Sequence, residues 1–349
     1  MNKFYLEINI DNQKNASTKA VNDCNAILKT IGFLPIHLNI MKSGNKYIKK
    51  IKNALQFQLL MKIPKNSILV VPHPIYINKK YIEFIKRTKE KNNLKVIFLI
   101  HDIESLRKLF LDAQDDFEWL DKKMYKTADY IIAHNSNMKR YLMQQGVSKD
   151  KIFVLEIFDY LVSQNSFKEN NKFVPILNIA GNLDPKKSKY LEKLNYLDEL
   201  QFNLYGVNFN KEILFSNNIH YKGAFNPDEI STQLNQGFGL VWDGDEIECC
   251  SGNTGKYLQY NNPHKLSLYL VSELPVVIWS KAAEADFVLK NNLGIAIDTL
   301  KDLKEVFSNF SETEYQIMQT NVKRYSQMLL NGFFLKQVIN EILKEIEMV

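Results

Sequence analysis

Short, continuously apolar runs rich in β-branched residues alternate with amphipathic stretches along this chain, and the alternation is laid down twice. In the first half the strand candidates are 3–10, 34–40, 67–72, 95–101, 129–134 and 152–157. Helical periodicity lies between them, for instance from Ile77 to Lys91 and from Phe117 to Lys126. Ser136 is placed to cap a helix that runs to about Gln145 and stops at Gly146. Strands apolar on both faces need cover on both, which predicts parallel sheets between layers of helix. Residues 163–173 are polar and aperiodic, as a linker is. The pattern then restarts with strand candidates at 175–180, 202–206, 219–222, 238–242, 275–279 and 294–297. Helices fit at Asp228–Asn235, His264–Val271 and Ala282–Asn291, and from Leu300 to Met348 the chain reads as almost all helix with a break near Gly332. The expectation is an α/β protein with two Rossmann-like domains, 1–165 and 172–330, and a terminal helix at 331–349 that packs back on the first domain. Ligands of such sheets bind outside the carboxyl ends of the strands, here expected in an interdomain cleft.

At 349 residues there is room for two separate cores. No uninterrupted apolar run reaches the roughly eighteen residues of a membrane span. The opening Lys3–Ile10 reads as a first strand and not as a signal peptide, so a cytoplasmic protein is expected. Cys24, Cys249 and Cys250 are odd in number and two are adjacent. That suits neither a disulfide framework nor a zinc site, and reduced thiols are expected. The net charge of +6 is unevenly spread, with no acidic residue between Asp23 and Glu83. Within that stretch Ile48, Ile51 and Leu55 recur at helical spacing beside Lys46, Lys49, Lys50 and Lys52. Two readings stay open: an ordinary helix with a solvated lysine face, or a basic amphipathic helix in peripheral contact with the inner face of the membrane. Nucleic acid is not an expected partner, since no aromatic-basic motif or zinc finger accompanies the lysines.

Three strand-end segments of the second half carry the chemistry. Gly181-Asn182-Leu183-Asp184-Pro185-Lys186-Lys187 follows an apolar strand directly, where Gly181 permits close backbone approach and the two lysines can neutralise phosphate. In Tyr260–Leu270, Pro263 favours a helix start and Asn262 can cap it, while Lys265 adds a formal charge to an anion-binding helix N-terminus. Asp243 and Asp245, in Phe238–Glu246, form an Asp-x-Asp triplet. Its position late in the second strand-helix set favours hydrogen bonding or loop structure over a metal site. In the first half, His101-Asp102-Ile103-Glu104 follows strand 95–101. His101 or Asp102 could deprotonate an acceptor hydroxyl, with Glu104 ranked behind and His73 in a similar strand-end position. A structural histidine or a capping aspartate is the equal alternative.

Gly181-Asn182-Leu183, Gly237–Gly244 and Asn261–Leu270 with Pro275-Val276 resemble a bacterial family of GT-B glycosyltransferases. It comprises glucosyltransferases that extend glycans on serine-rich-repeat adhesins and β-1,6-galactofuranosyltransferases of surface-polysaccharide clusters. The resemblance implies a GT-B fold, a UDP-sugar-dependent hexosyltransferase with no obligatory metal or other cofactor, and a homo-oligomer, dimer or tetramer. It implies a glycan acceptor on a glycosylated protein or a lipid-linked intermediate. Matched to this sequence, the family's UDP contacts fall on Lys186 or Lys187, on Tyr205 as a stacking partner for uracil, on Lys265, and on Ser17 or Thr18 in the first strand-helix loop. The expected reaction is displacement of UDP by an acceptor hydroxyl, with Lys265, the 186–187 lysines and the helix start at Pro263 stabilising the departing charge. A non-catalytic partner of another transferase is the alternative. A dinucleotide-dependent oxidoreductase is disfavoured, because no Gly-x-Gly-x-x-Gly follows the first strand.

Overall fold

The computed structural model describes residues 1–10, 17–41, 43–76, 80–162, 172–210 and 216–348. Two compact units divide the chain: Met1–Leu155 with the segment from Leu335 onward, and Glu156–Phe334.

The first unit holds a parallel six-stranded sheet: β1 (Lys3–Ile10), β2 (Leu34–Ile40), β3 (Ile68–His73), β4 (Lys95–Ile100), β5 (Tyr130–Ala133) and β6 (Ile152–Val154), in the order β2-β1-β3-β4-β5-β6. Its helices are α1 (Ser17–Thr30), α2 (Lys46–Gln58), α3 (Tyr81–Asn92), α4 (Glu104–Arg107), α5 (Gln114–Thr127) and α6 (Ser136–Gln144). The central strand β3 is buried at every position, as its apolar run from Ile68 to Pro72 requires, and β4 at all but its first. Leu69, Val71, Val96, Phe98 and Ile131 pack with Ile82 and Ile85 of α3, Leu120 and Met124 of α5, and Met138 and Leu142 of α6. Strand β2 lies at the sheet edge and alternates in exposure, which is why its sequence is less uniformly apolar.

The second unit repeats the plan with a different strand order. β7 (Ile176–Asn182), β8 (Gln201–Val207), β9 (Ile219–Gly223), β10 (Phe238–Val241), β11 (Val276–Trp279) and β12 (Gly294–Ile297) are parallel in the order β12-β11-β10-β7-β8-β9. Its helices are α7 (Gly252–Tyr257), α8 (His264–Val271), α9 (Ala285–Lys290), α10 (Leu303–Ser308) and α11 (Glu312–Leu330), and the described chain ends in α12 (Phe333–Met348). A reciprocal capping box between Ser311 and Glu314 starts α11. Gly332, at φ +67°, makes the break before α12, which begins in the second unit and continues in the first.

Each strand expected from sequence forms, with ends shifted by at most three residues. Three local expectations need correction. Asn135, not Ser136, caps α6, its side chain accepting hydrogen bonds from Asn137 N and Met138 N. Only a 3₁₀ turn, Ile230–Thr232, forms within 228–235. Ser231 and Thr232 are poor helix formers and Gly237 follows closely, so the backbone closes in three-residue turns. Asn262 does not cap α8; Pro263 holds the cap position without a side-chain bond.

Candidate active site

In the second sheet β7 and β10 are neighbours, and successive strands leave from them in opposite directions. This is the topological switch point, where open α/β sheets bind ligands at the carboxyl ends of their strands. Two of the three sequence segments singled out above end on it.

β7 finishes in Gly181 and Asn182, both exposed. Its neighbour β8 approaches so closely that a Cβ on Gly206 would lie 1.7 Å from Gly181 O; at φ +153° only glycine fits there. Beyond the strand, Asn182 Oδ1 accepts from Asp184 N (3.1 Å) and Asn208 Nδ2 (2.9 Å), and Asp184 Oδ1 accepts from Lys186 N (2.9 Å). These side-chain bonds mimic backbone turns and fix the loop. Lys186 is exposed and Lys187 is half-buried.

β10 ends at Val241 and leads into Trp242 and Asp243. Lys265, in the first turn of α8, reaches back to this strand end. Its Nζ donates to Trp242 O (2.9 Å) and to Asp243 Oδ1 (3.0 Å). Asp243 and the Trp242 carbonyl thus hold Lys265 at the strand end. Among the described residues no group of three or more His, Cys, Asp or Glu side chains is placed to hold a metal ion.

Asn262 is buried and donates from Nδ2 to Glu156 O (2.8 Å), while Ser267 Oγ donates to Phe158 O (2.6 Å). His264 stacks on Tyr160 with ring centroids 4.8 Å apart. The α8 start is thus anchored to the 156–160 segment as well as to β10. Tyr205, near the end of β8, is buried beside Phe225, its hydroxyl directed at Gln233 O (3.5 Å), and burial raises its phenol above the ordinary value.

The chain from 243 to 255 closes the arrangement, and the part beyond Glu246 was given no role in the site by the sequence. A Cβ on Gly244, at φ +106°, would meet Ser251 O at 2.1 Å, so the loop folds tightly back on itself. From its far end Thr254 Oγ1 donates to Lys187 O (3.0 Å), tying α7 to the lysine loop. The recurrence of glycine at 244, 252 and 255 was the available signal.

In the first unit the residues after β3 and β4 form two networks. His73 is fully buried: Nε2 pairs with Asp121 Oδ1 (2.6 Å), Nδ1 with the Tyr81 hydroxyl (3.2 Å), and its carbonyl accepts from His101 N (2.7 Å). That is a structural histidine joining β3, α3 and α5. Asp102 is half-buried, with Oδ2 2.6 Å from Arg107 Nη1. The same nitrogen donates to Glu104 Oε1 (3.0 Å), which also accepts from the Tyr76 hydroxyl (2.6 Å). Burial, opposed by Arg107, raises the Glu104 carboxyl above the usual range. Arg107 and Tyr76 went unnoticed in the sequence, although Arg107 is one helical turn from Glu104. Ser17 and Thr18 open α1, but their side chains and residues 11–16 lie outside the described residues.

Two units, each built on a parallel six-stranded sheet with polar strand-end loops, make up a fold of the GT-B type, and solved structures share it. Anabaena HepE in complex with UDP and glucose matches with a TM-score of 0.64 at 10% identity, over 99% of this chain and 100% of that one. The apo lipopolysaccharide outer core galactosyltransferase WaaB matches with a TM-score of 0.61 at 13% identity, over 99% and 100%. Sequence then gives the family. Residues 3–157 match the glucosyltransferase 3-like N-terminal domain and residues 177–342 the corresponding C-terminal domain, and the chain belongs to this family. It is 36% identical over 258 residues to the β-1,6-galactofuranosyltransferase WbbI of Escherichia coli, covering 72% of each chain. To glucosyltransferase 3 of Streptococcus gordonii it is 23% identical over 351 residues, covering 98% of this chain and 99% of that one. The protein is an enzyme, a hexosyltransferase.

Proposed function

We propose that the enzyme transfers a hexose from a UDP-sugar to a hydroxyl of a glycan acceptor, carried either by a glycosylated protein or by a lipid-linked polysaccharide intermediate. The observation that carries this reading is Lys265, a cation fixed at the carboxyl end of β10 beside the switch point. The exposed Gly181-Asn182 end belongs to the neighbouring β7, and Lys186 to the loop that follows it. A diphosphate matches that set: backbone amides, two basic side chains and a helix start. Relatives that use glucose and galactofuranose, and a neighbour that holds UDP and glucose, support the same class of donor.

In the proposed reaction an acceptor oxygen attacks the anomeric carbon. The bond from that carbon to the β-phosphate oxygen breaks with its electron pair, and UDP departs. Lys265 and a lysine of the 186–187 pair stabilise the charge that develops on the diphosphate, so no metal is obligatory. Asp102, oriented by Arg107, takes the acceptor proton. UDP-sugars are cytoplasmic metabolites, and we place the enzyme there as a homo-oligomer. A non-catalytic partner of another transferase is the reading that the family membership does not favour.

A panel of UDP-sugars incubated with the enzyme, with products read by mass spectrometry, tests the proposal without knowledge of the acceptor. One donor should be hydrolysed slowly, and calorimetry should show UDP binding. Absence of any UDP binding to the wild-type protein would sink the reading.

A further inference from the structure

Helix α2 is turned inside out. Its inward face is polar: Asn53 accepts from Met41 N (2.9 Å) and donates to Met41 O (3.0 Å), while Gln56 Oε1 accepts from Asn39 N (3.0 Å). Asn53 and Gln56 thereby occupy backbone groups along and just beyond the edge strand β2, where a further strand would otherwise pair. With Phe57 buried on the same side, the helix is fixed in rotation. The apolar residues that periodicity marks as core-seeking consequently face solvent. Tyr47 is 76% exposed, Ile48 52%, Ile51 62% and Leu55 54%.

At about 100° per residue these four side chains fall within a sector of roughly 100°. Lys50 and Lys52, both exposed, project on either flank of that sector. Beyond Leu55 a shallow groove continues the surface, lined by Leu59, Met61, Lys62 and Lys91. No acidic residue occurs between Asp23 and Glu83, so the stripe carries only positive charge along its own stretch of chain.

We propose that α2 is a peripheral docking surface for an anionic lipid bilayer. An apolar stripe flanked by lysines sinks to the headgroup boundary while the lysine stems lie along it and their ammonium groups meet lipid phosphates. Charge decides between this occupant and a second copy of the chain. A two-fold contact through the same stripe brings lysines against lysines with no carboxylate on the helix to offset them. The inference is independent of the reaction proposed above, and its test reads neither donor binding nor turnover.

Flotation of the full-length protein with vesicles of phosphatidylcholine, alone or mixed with phosphatidylglycerol, measures the proposed contact. Binding should be on the order of tenfold tighter or more to the anionic vesicles and should weaken in high salt. Lys50→Glu with Lys52→Glu should reduce it by at least about thirtyfold. Ile48→Asn with Ile51→Asn should reduce it by at least about tenfold. All four side chains are solvent-facing, so both variants should melt as the wild type does. Equal partition to neutral and anionic vesicles, or unchanged binding by either variant, overturns the proposal. So does self-association in sedimentation equilibrium that Ile51→Asn abolishes in a protein that ignores vesicles.

Discussion

Replacing Lys265 by alanine removes the cation fixed at the carboxyl end of β10 and leaves its two partners behind. Nζ lies 2.9 Å from Trp242 O and 3.0 Å from Asp243 Oδ1, with the lysine side chain 13% exposed and the aspartate 9%. A charge-assisted hydrogen bond from such a lysine to a diphosphate contributes about 1.5–3 kcal/mol, or roughly ten- to hundredfold in affinity for UDP. The substitution also strands a nearly buried carboxylate, which costs about 1–3 kcal/mol of stability. The two losses separate in a double variant. Adding Asp243→Asn replaces the stranded charge by a neutral amide and should restore most of the stability. Donor affinity should stay low, because the cation is still missing. Calorimetric titration with UDP gives the first quantity and urea denaturation the second. UDP affinity within about twofold of wild type in Lys265→Ala would falsify the assignment of this lysine, whatever its effect on folding.

Two further perturbations test the scaffold. Burial pushes the His134 imidazole down from 6.5 to about 4, with Nε2 held 3.0 Å from Ile100 O. The folded protein keeps this ring neutral while the unfolded chain protonates it, so its contribution is intact above pH 6.5 and is lost as pH falls towards 4, by about 3 kcal/mol. Urea melts across that window should slope less steeply for His134→Gln; an unchanged slope refutes the assignment. Gly206→Ala places a methyl group 1.7 Å from Gly181 O at a left-handed φ, and the β7–β8 contact must open. A loss of at least about 3 kcal/mol is expected, and a variant as stable as wild type would contradict the close approach.

Both sheets were legible in the sequence because their evidence is local. A strand buried on both faces must be apolar throughout, and β3, β4, β10 and β11 announce themselves that way. The strand-end loops were legible for the same reason, since Gly181-Asn182 and the Pro263 helix start are contiguous motifs. Boundaries and caps were less so: Asn135 and Ser136 are both good caps, and only the backbone geometry chooses Asn135.

Pairings across long stretches of chain belong to the tertiary structure. Asp243 and Lys265 were each visible, but their ion pair depends on α8 returning to the end of β10. The partnership of Tyr76 with Glu104 requires β3 and β4 to be neighbours. Strand order likewise cannot be read from periodicity, and it is strand order that places β7 beside β10 and creates the switch point. Helix α2 shows the division most clearly. Sequence determined that it is amphipathic and basic. The bonds of Asn53 and Gln56 beside the sheet edge decided which face points outward. Periodicity fixes the relative directions of side chains, but the rotation of the whole helix follows from what its neighbours leave unpaired.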